Sequence, residues 1–260
     1  MNISMIIGWV VAIGLVIFGI MNGGDLMNFV DIPSLAITVG GTLGGLIASF
    51  PISMLKDVGK WFKMALFPPK YEPEKYIDEL VGYAKVARSQ GLLQLEDSAN
   101  KAKDPFMRKA LMLIVDANDA EKVREMLEEA IDYTEERHSS ARAFFEKGVA
   151  LGPAFGMLGT LVGLVNMLKT MDTNPGSLGA SMAVALVTTF YGSFLANIVF
   201  APLEHALKIT NDKEILCMQI ITSGVLAIAA GSNPALIREK LEFMLPKSVT
   251  DKKQQQENNG

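Results

Sequence analysis

Four stretches of this chain are long enough to cross a lipid bilayer and contain no residue that carries a charge. That restricts the fold more than anything else in the sequence. They are residues 3–21 (ISMIIGWVVAIGLVIFGIM), 32–52 (IPSLAITVGGTLGGLIASFPI), 148–168 (GVALGPAFGMLGTLVGLVNML) and 178–203 (LGASMAVALVTTFYGSFLANIVFAPL). A helix rises about 1.5 Å per residue, so about 20 residues cover a hydrocarbon core of about 30 Å. No β pattern appears. The expected fold is all-α: an integral membrane protein with four transmembrane helices and a helical cytoplasmic domain. A signal peptide is the rival reading of the first stretch, but Met1-Asn2 offers no basic n-region.

Charges crowd instead into residues 56–147 and 204–253. Long apolar runs beside ordinary charged segments indicate a membrane protein with substantial soluble parts. A net charge of −4 gives no reason to expect nucleic-acid binding. The single cysteine, Cys217, cannot form an intrachain disulfide, and His138 and His205 lack ligand-like companions, so no metal site is expected. Phosphate-loop and nucleophile-elbow motifs are missing, which argues against an enzyme.

Orientation follows from basic residues beside the span ends. Lys56, Lys60 and Lys63 follow the second span, Arg142 and Lys147 precede the third, and Lys208 and Lys213 follow the fourth. Both termini and the large middle segment are therefore expected to be cytoplasmic. The organisation reads as spans one and two at 1–52 and a cytoplasmic helical domain at 53–147. Spans three and four at 148–203 follow, then C-terminal helices and a flexible tail at 204–260. The apolar run at 215–230 is only 16 residues long with Gln219, Thr222 and Ser223 at its middle, so it reads as a buried cytoplasmic helix.

Within the middle segment, residues 53–66 place Leu55, Val58, Phe62 and Leu66 on one face and three lysines on another. That is an amphipathic helix suited to the membrane interface, or an ordinary surface helix. Further helices are expected from Glu72 to Ser89, over Leu92–Ala102, and from Pro105 to Val115 with Asp104 as cap. Asn118 or Asp119 can cap a helix that meets no proline until Pro153. It should run straight into the third span, with a cytoplasmic part about 40 Å long at about 1.5 Å per residue.

In lipid, small residues let helix backbones approach closely. Gly148, Gly152 and Gly156 share one face of the third span, and Gly159 and Gly163 repeat the spacing one step around. Close packing within one subunit and a pore-lining or subunit-interface role both explain them. Pro153 is expected to kink the third span, and Pro202 stands at the matching end of the fourth, where a helix stop is the rival reading. What remains polar at depth is Thr160, Thr188, Thr189, Tyr191 and Asn197. Intramembrane ion carriers generally use a carboxylate. Either this chain moves no ions, or the ionisable group arrives on another polypeptide.

The stretch GPAFGMLGTLVGLVNML, with SMAVALVTTFYG and FAPL, resembles the flagellar motor stator family of MotA and PomA; ExbB and TolQ share a looser, three-span version. The resemblance implies a homo-oligomer, a pentamer in that family, around two copies of a single-span MotB-like subunit whose intramembrane aspartate carries the ion. It implies no cofactor beyond the translocated H⁺ or Na⁺, with proton the commoner choice. Pro153 and Pro202 match the family's functional prolines. Thr160 and Thr189 match positions near the carrier carboxylate, with Thr188 beside them. Gly152, Gly156, Gly159 and Gly163 would pack around the partner's central helices. In RSQGLLQLE, Arg88 and Glu96 match the pair that touches the rotor switch protein, a FliG-like partner. The function implied is the A subunit of an ion-driven stator that turns ion flow into torque. The alternative is an energising subunit of an envelope transport complex.

Overall fold

The computed structural model describes residues 2–116 and 119–245, and every regular element among them is helical. Asn118, one of the two expected caps, and the tail beyond residue 245 lie outside the described residues. The chain divides into two compact units. One comprises Met1–Pro69 with His138–Thr210, the other Lys70–Arg137 with Asn211–Gly260.

The first unit holds the four apolar helices. Span one runs Ile3–Gly23 and buries none of its residues within the chain. Its Phe18, Val10 and Leu15 are all more than half exposed, as a lipid-facing or subunit-facing helix requires. Span two runs Ile32–Ser49; Asp31 caps it by accepting the Ser34 N–H at 2.8 Å, and Pro33 sits in the first turn. Phe50 then turns extended before Pro51, the conformation that a following proline enforces. Span three is part of an unbroken helix, Ala120–Thr170, begun by Asp119, which accepts the Glu121 N–H at 2.8 Å.

Span four starts as Leu178–Phe194 and widens into a π-helical turn over Leu195–Phe200. It then continues as Ala201–Ala229. Pro202 therefore does not stop the helix, contrary to one sequence reading. Proline lacks an N–H and its ring crowds the carbonyl four residues earlier, here Ile198. The wide turn relieves that conflict: the Ala201 N–H donates to Ala196 O, five residues back.

The expected amphipathic helix forms in two pieces, Ile52–Leu55 and Val58–Leu66, separated by a turn at Lys56–Asp57. The turn shifts the inward face. Ala65 is fully buried and Trp61 stacks 6.0 Å from Phe144, while Phe62 lies outward with Lys60 and Lys63. This packing joins the helix to the spans, around Leu46, Phe145, Phe200 and Leu203. The boundaries between the two compact units fall at 69/70, 137/138 and 210/211.

The second unit gathers the helices Pro73–Gln90, Leu95–Asn100, Pro105–Val115 and Pro234–Glu242, with parts of the two long helices. Asp104 caps the third of these, accepting from Phe106 N–H at 2.8 Å and Met107 N–H at 3.0 Å, and also takes the Tyr76 hydroxyl at 2.9 Å. Leu80, Leu95, Leu111, Ile220, Ile221 and Val225 form its sealed core. The run at 215–230 thus contributes to the core of this unit, with Ile220, Ile221, Val225 and Ile228 buried in it. Arg238 pairs with Asp78 at 2.7 Å, tying the last helix to the first.

Candidate functional site

The glycines of span three are consumed by span four of the same chain. A methyl group on Gly152 would lie 2.9 Å from Gly192 O, and one on Gly156 3.0 Å from Thr188 O. On Gly163 it would lie 2.7 Å from Ser181 O, and on Gly159 it would strike the Thr188 side chain at 2.4 Å. The approach is mutual, since a methyl on Gly192 would meet Gly152 O at 2.5 Å. Gly148 accommodates the Phe200 ring, and Gly41 of span two accommodates Phe155. Of the two explanations for the glycine pattern, packing within one subunit is the one these contacts display. The glycine face is filled, so the face left for a partner is the opposite one.

That free face carries Pro153, Met157, Leu161 and Leu164 on span three, and Met182, Leu186, Thr189, Ser193 and Asn197 on span four, all exposed. At the seam between the two helices the Thr160 and Thr189 hydroxyls stand 2.6 Å apart. One carbonyl organises them. Ala185 O lies 2.9 Å from Thr160 Oγ1, 3.2 Å from Thr189 Oγ1 and 3.0 Å from Thr188 Oγ1. Thr160 also reaches Gly156 O at 3.1 Å. A hydroxyl donates one proton and accepts twice, so Thr160 satisfies only one of these oxygens at a time. The seam is a cluster of oxygens with lone pairs to spare, set in a surface that is otherwise apolar.

Thr188 itself is fully buried and turned away from the free face; its carbonyl is 3.4 Å from Thr38 Oγ1 of span two. It therefore locks spans two and four. Tyr191 does related work, its hydroxyl donating to Phe29 O while the Phe29 and Phe190 rings meet edge-on at 5.2 Å. Pro202 is half-buried on the continuing helix, next to the sealed Leu203. Arg88 and Glu96 are exposed and belong to the other unit, at the end of one helix and the start of the next. Ala185 was invisible to sequence reasoning, because a backbone carbonyl has no motif. Thr38 and Thr42 were missed too, although their spacing of four beside Gly41 and Gly45 offered a signal.

Residues 6–91 match the model of the Motility protein A N-terminal family, and residues 98–220 match that of the MotA/TolQ/ExbB proton channel family. Chemotaxis protein PomA of Vibrio alginolyticus is 38% identical over 245 residues, which cover 94% of this chain and 96% of that protein. Two solved structures share the fold. The structure of C. jejuni MotAB matches with a TM-score of 0.85 at 27% identity, over 95% of this chain and 96% of that one. The flagellar MotAB stator complex from Bacillus subtilis matches with a TM-score of 0.84 at 28% identity, over 96% and 98%. With both family models matched in sequence order and a relative aligned almost end to end, this chain belongs to the motility protein A family, within the MotA/TolQ/ExbB proton channel group.

Proposed function

We propose that this chain is the A-type subunit of a flagellar stator. Several copies, five on the family pattern, surround the membrane helices of a single-span B subunit in the bacterial inner membrane, with both termini cytoplasmic. The partner's intramembrane aspartate binds and releases a proton against the free face of spans three and four. The observation that carries this reading is the Thr160–Thr189 hydroxyl pair, 2.6 Å apart and open to the outside, in a chain whose four spans hold no Asp, Glu, Lys, Arg or His. A carboxylate in hydrocarbon is costly unless it finds donors, and two hydroxyls supply them. Pro153 lies on the same face, where its missing N–H softens the helix. Arg88 and Glu96 meet charges on the rotor switch protein. The match over 98–220 also covers energisers of envelope transport, whereas the match over 6–91 is to motility proteins.

The test is motility and ion flux in a strain lacking its own stator, complemented with this chain and its partner. Thr160→Ala and Thr189→Ala should each lower flux by roughly 10- to 100-fold, the worth of about 1.5–3 kcal/mol for a hydrogen bond to a charged group. Thr160→Ser, which keeps the hydroxyl, should restore most of it. Unchanged flux in both alanine variants would remove the seam from the ion path. The three oxygens around Ala185 also suit Na⁺, a second reading on which replacing Na⁺ by K⁺ at fixed pH stops rotation.

A further inference from the structure

We infer that the outward side of the Val58–Leu66 helix, with the turn before it, is a docking surface for acidic phospholipid. Phe62 and Leu66 enter the acyl layer, and Lys56, Lys60 and Lys63 meet the headgroups. The inference needs only that the apolar helices span a bilayer, and it stands or falls independently of the stator reading.

Two features fix the depth of this segment. Span two ends at Ser49, and Phe50 and Pro51 lead directly into the Ile52–Leu55 helix. At the far end the Asn2 N–H donates to Leu66 O at 2.8 Å, and Asn2 is the cap of span one, its side chain accepting from the Met5 N–H. Consecutive spans reverse direction, so the start of the first and the end of the second lie on the same side of the bilayer. The stretch from Ile52 to Leu66 is therefore pinned at both ends to that one side. A helix held in this way lies along the membrane surface and does not project from it.

Its outward side is ordered as a bilayer surface is. Successive helical residues turn by about 100°. Trp61 and Ala65 face the spans; Phe62 and Leu66 come next around the helix, then Lys63 and Lys60. Phe62 and the lysines are exposed and Leu66 is half-buried. At the two ends of the segment Ile52 is 73% exposed and Phe67 54%. Apolar groups in such positions gain by leaving water for the acyl boundary, while lysine stems reach outward and keep their ammonium groups among headgroups. Against three lysines the stretch sets one carboxylate, Asp57, which pairs with Lys60 at 2.6 Å. Lys56 and Lys63 make no ion pair among the described residues. A zwitterionic headgroup brings its own cation, whereas an acidic one leaves a net negative charge for these two lysines to neutralise. A second copy of this chain docked through the same side would meet lysines with lysines.

The test uses the full chain in nanodiscs of mixed phosphatidylglycerol and phosphatidylcholine, with one lipid or the other brominated on its acyl chains. Phe62→Trp, in a chain that also carries Trp9→Phe and Trp61→Phe, reports contact by quenching. Stronger quenching by brominated phosphatidylglycerol is expected, and Lys56→Gln with Lys63→Gln should abolish the difference while quenching itself persists. No quenching by either lipid would overturn the docking surface, because the helix would then face water or protein. Equal quenching by both, or a difference that survives loss of the lysines, would overturn the acidic selection. Native mass spectrometry of the otherwise unaltered chain, released from the same nanodiscs, remains decisive if the tryptophan variant fails to fold. Its preference for retained phosphatidylglycerol should fall roughly 25-fold in the double lysine variant, about fivefold for each unpaired lysine. Lys101→Gln with Lys122→Gln, exposed lysines of the other unit, should leave that preference unchanged. An equal fall in this control pair would show that overall charge, and not this surface, selects the lipid, and the proposal would fail.

Discussion

Gly192 and Gly44 show how unequal two glycines in adjacent apolar helices are. A methyl on Gly44 would meet nothing within 4 Å, whereas one on Gly192 would press on the Gly152 carbonyl at 2.5 Å and on Gly156 Cα at 3.1 Å. The obstacle at Gly192 is backbone, so no rotamer change relieves it and the two helices must separate. Gly192→Ala should therefore cost about 1–3 kcal/mol, the usual penalty of forced overpacking, and pull the Thr160–Thr189 pair apart. Gly44→Ala should be silent. Thermal unfolding midpoints of the detergent-solubilised protein compare the two. The spacing of the span-three glycines disclosed a common face but not its neighbour. A four-residue repeat records that something approaches closely, and only the tertiary contact says whether it is the same chain. The threonines were legible as hydroxyls at depth, yet Thr188 and Thr189 look alike in sequence and differ by one helical step, which turns one inward and the other out.

Caps and prolines made most helix starts readable. Asp104-Pro105 begins a helix as expected, with the side-chain oxygen taking the first free N–H groups, and Asn233-Pro234, which the sequence reading did not single out, begins another by the same device. Pro202 defeated the same logic, since a π-helical turn depends on how five preceding residues settle against their neighbours. The run at 215–230 was ambiguous by composition alone, because both a core helix and a short span are apolar. Its packing separates the two by energy. Ile221 is sealed in the second unit's core, and Ile221→Ala should cost about 2–5 kcal/mol, as buried truncations do in water-soluble cores. Leu186, 63% exposed on span four, should lose little on the same change. Cys217, in the same helix, gives a second readout. Burial pushes its thiol up to about 12, with Asp104 and Glu214 adding to the shift. Since the thiolate is the reactive form, maleimide labelling at neutral pH should be slow in the folded protein and become rapid when denaturant opens this unit. Rapid labelling without denaturant would show that the helix is not buried there.

The whole chain folds as two units, each with its own sealed core, and the sequence showed the division only approximately. Charge density located the soluble part, but the Val58–Leu66 helix joins the spans through Trp61 and Ala65, aromatic and small groups that no charge count registers. The two units should also part company under alkali. In the second, burial raises the Tyr71 and Tyr76 hydroxyls well above the ordinary value of 10.0, and hydrogen bonds to Glu214 and Asp104 raise them further. Below that ordinary value both the folded and unfolded chains keep these protons, and the stabilising bonds are fully present. Above it the unfolded chain releases protons that the folded one retains, so stability falls continuously as pH rises towards the folded values. Neither tyrosine lies in the first unit, so its apolar spans are not destabilised by these ionisations. Titrating tyrosinate absorbance and helical circular dichroism together should therefore show part of the helix signal lost in step with a late tyrosinate wave, the remainder surviving in the detergent-embedded spans. Tyr76→Phe removes one ionisation while leaving the Asp104 cap on Phe106 and Met107 intact, so its helix loss should begin at higher pH. If that variant unfolds at the same pH as the parent, the buried tyrosine is not what alkali attacks.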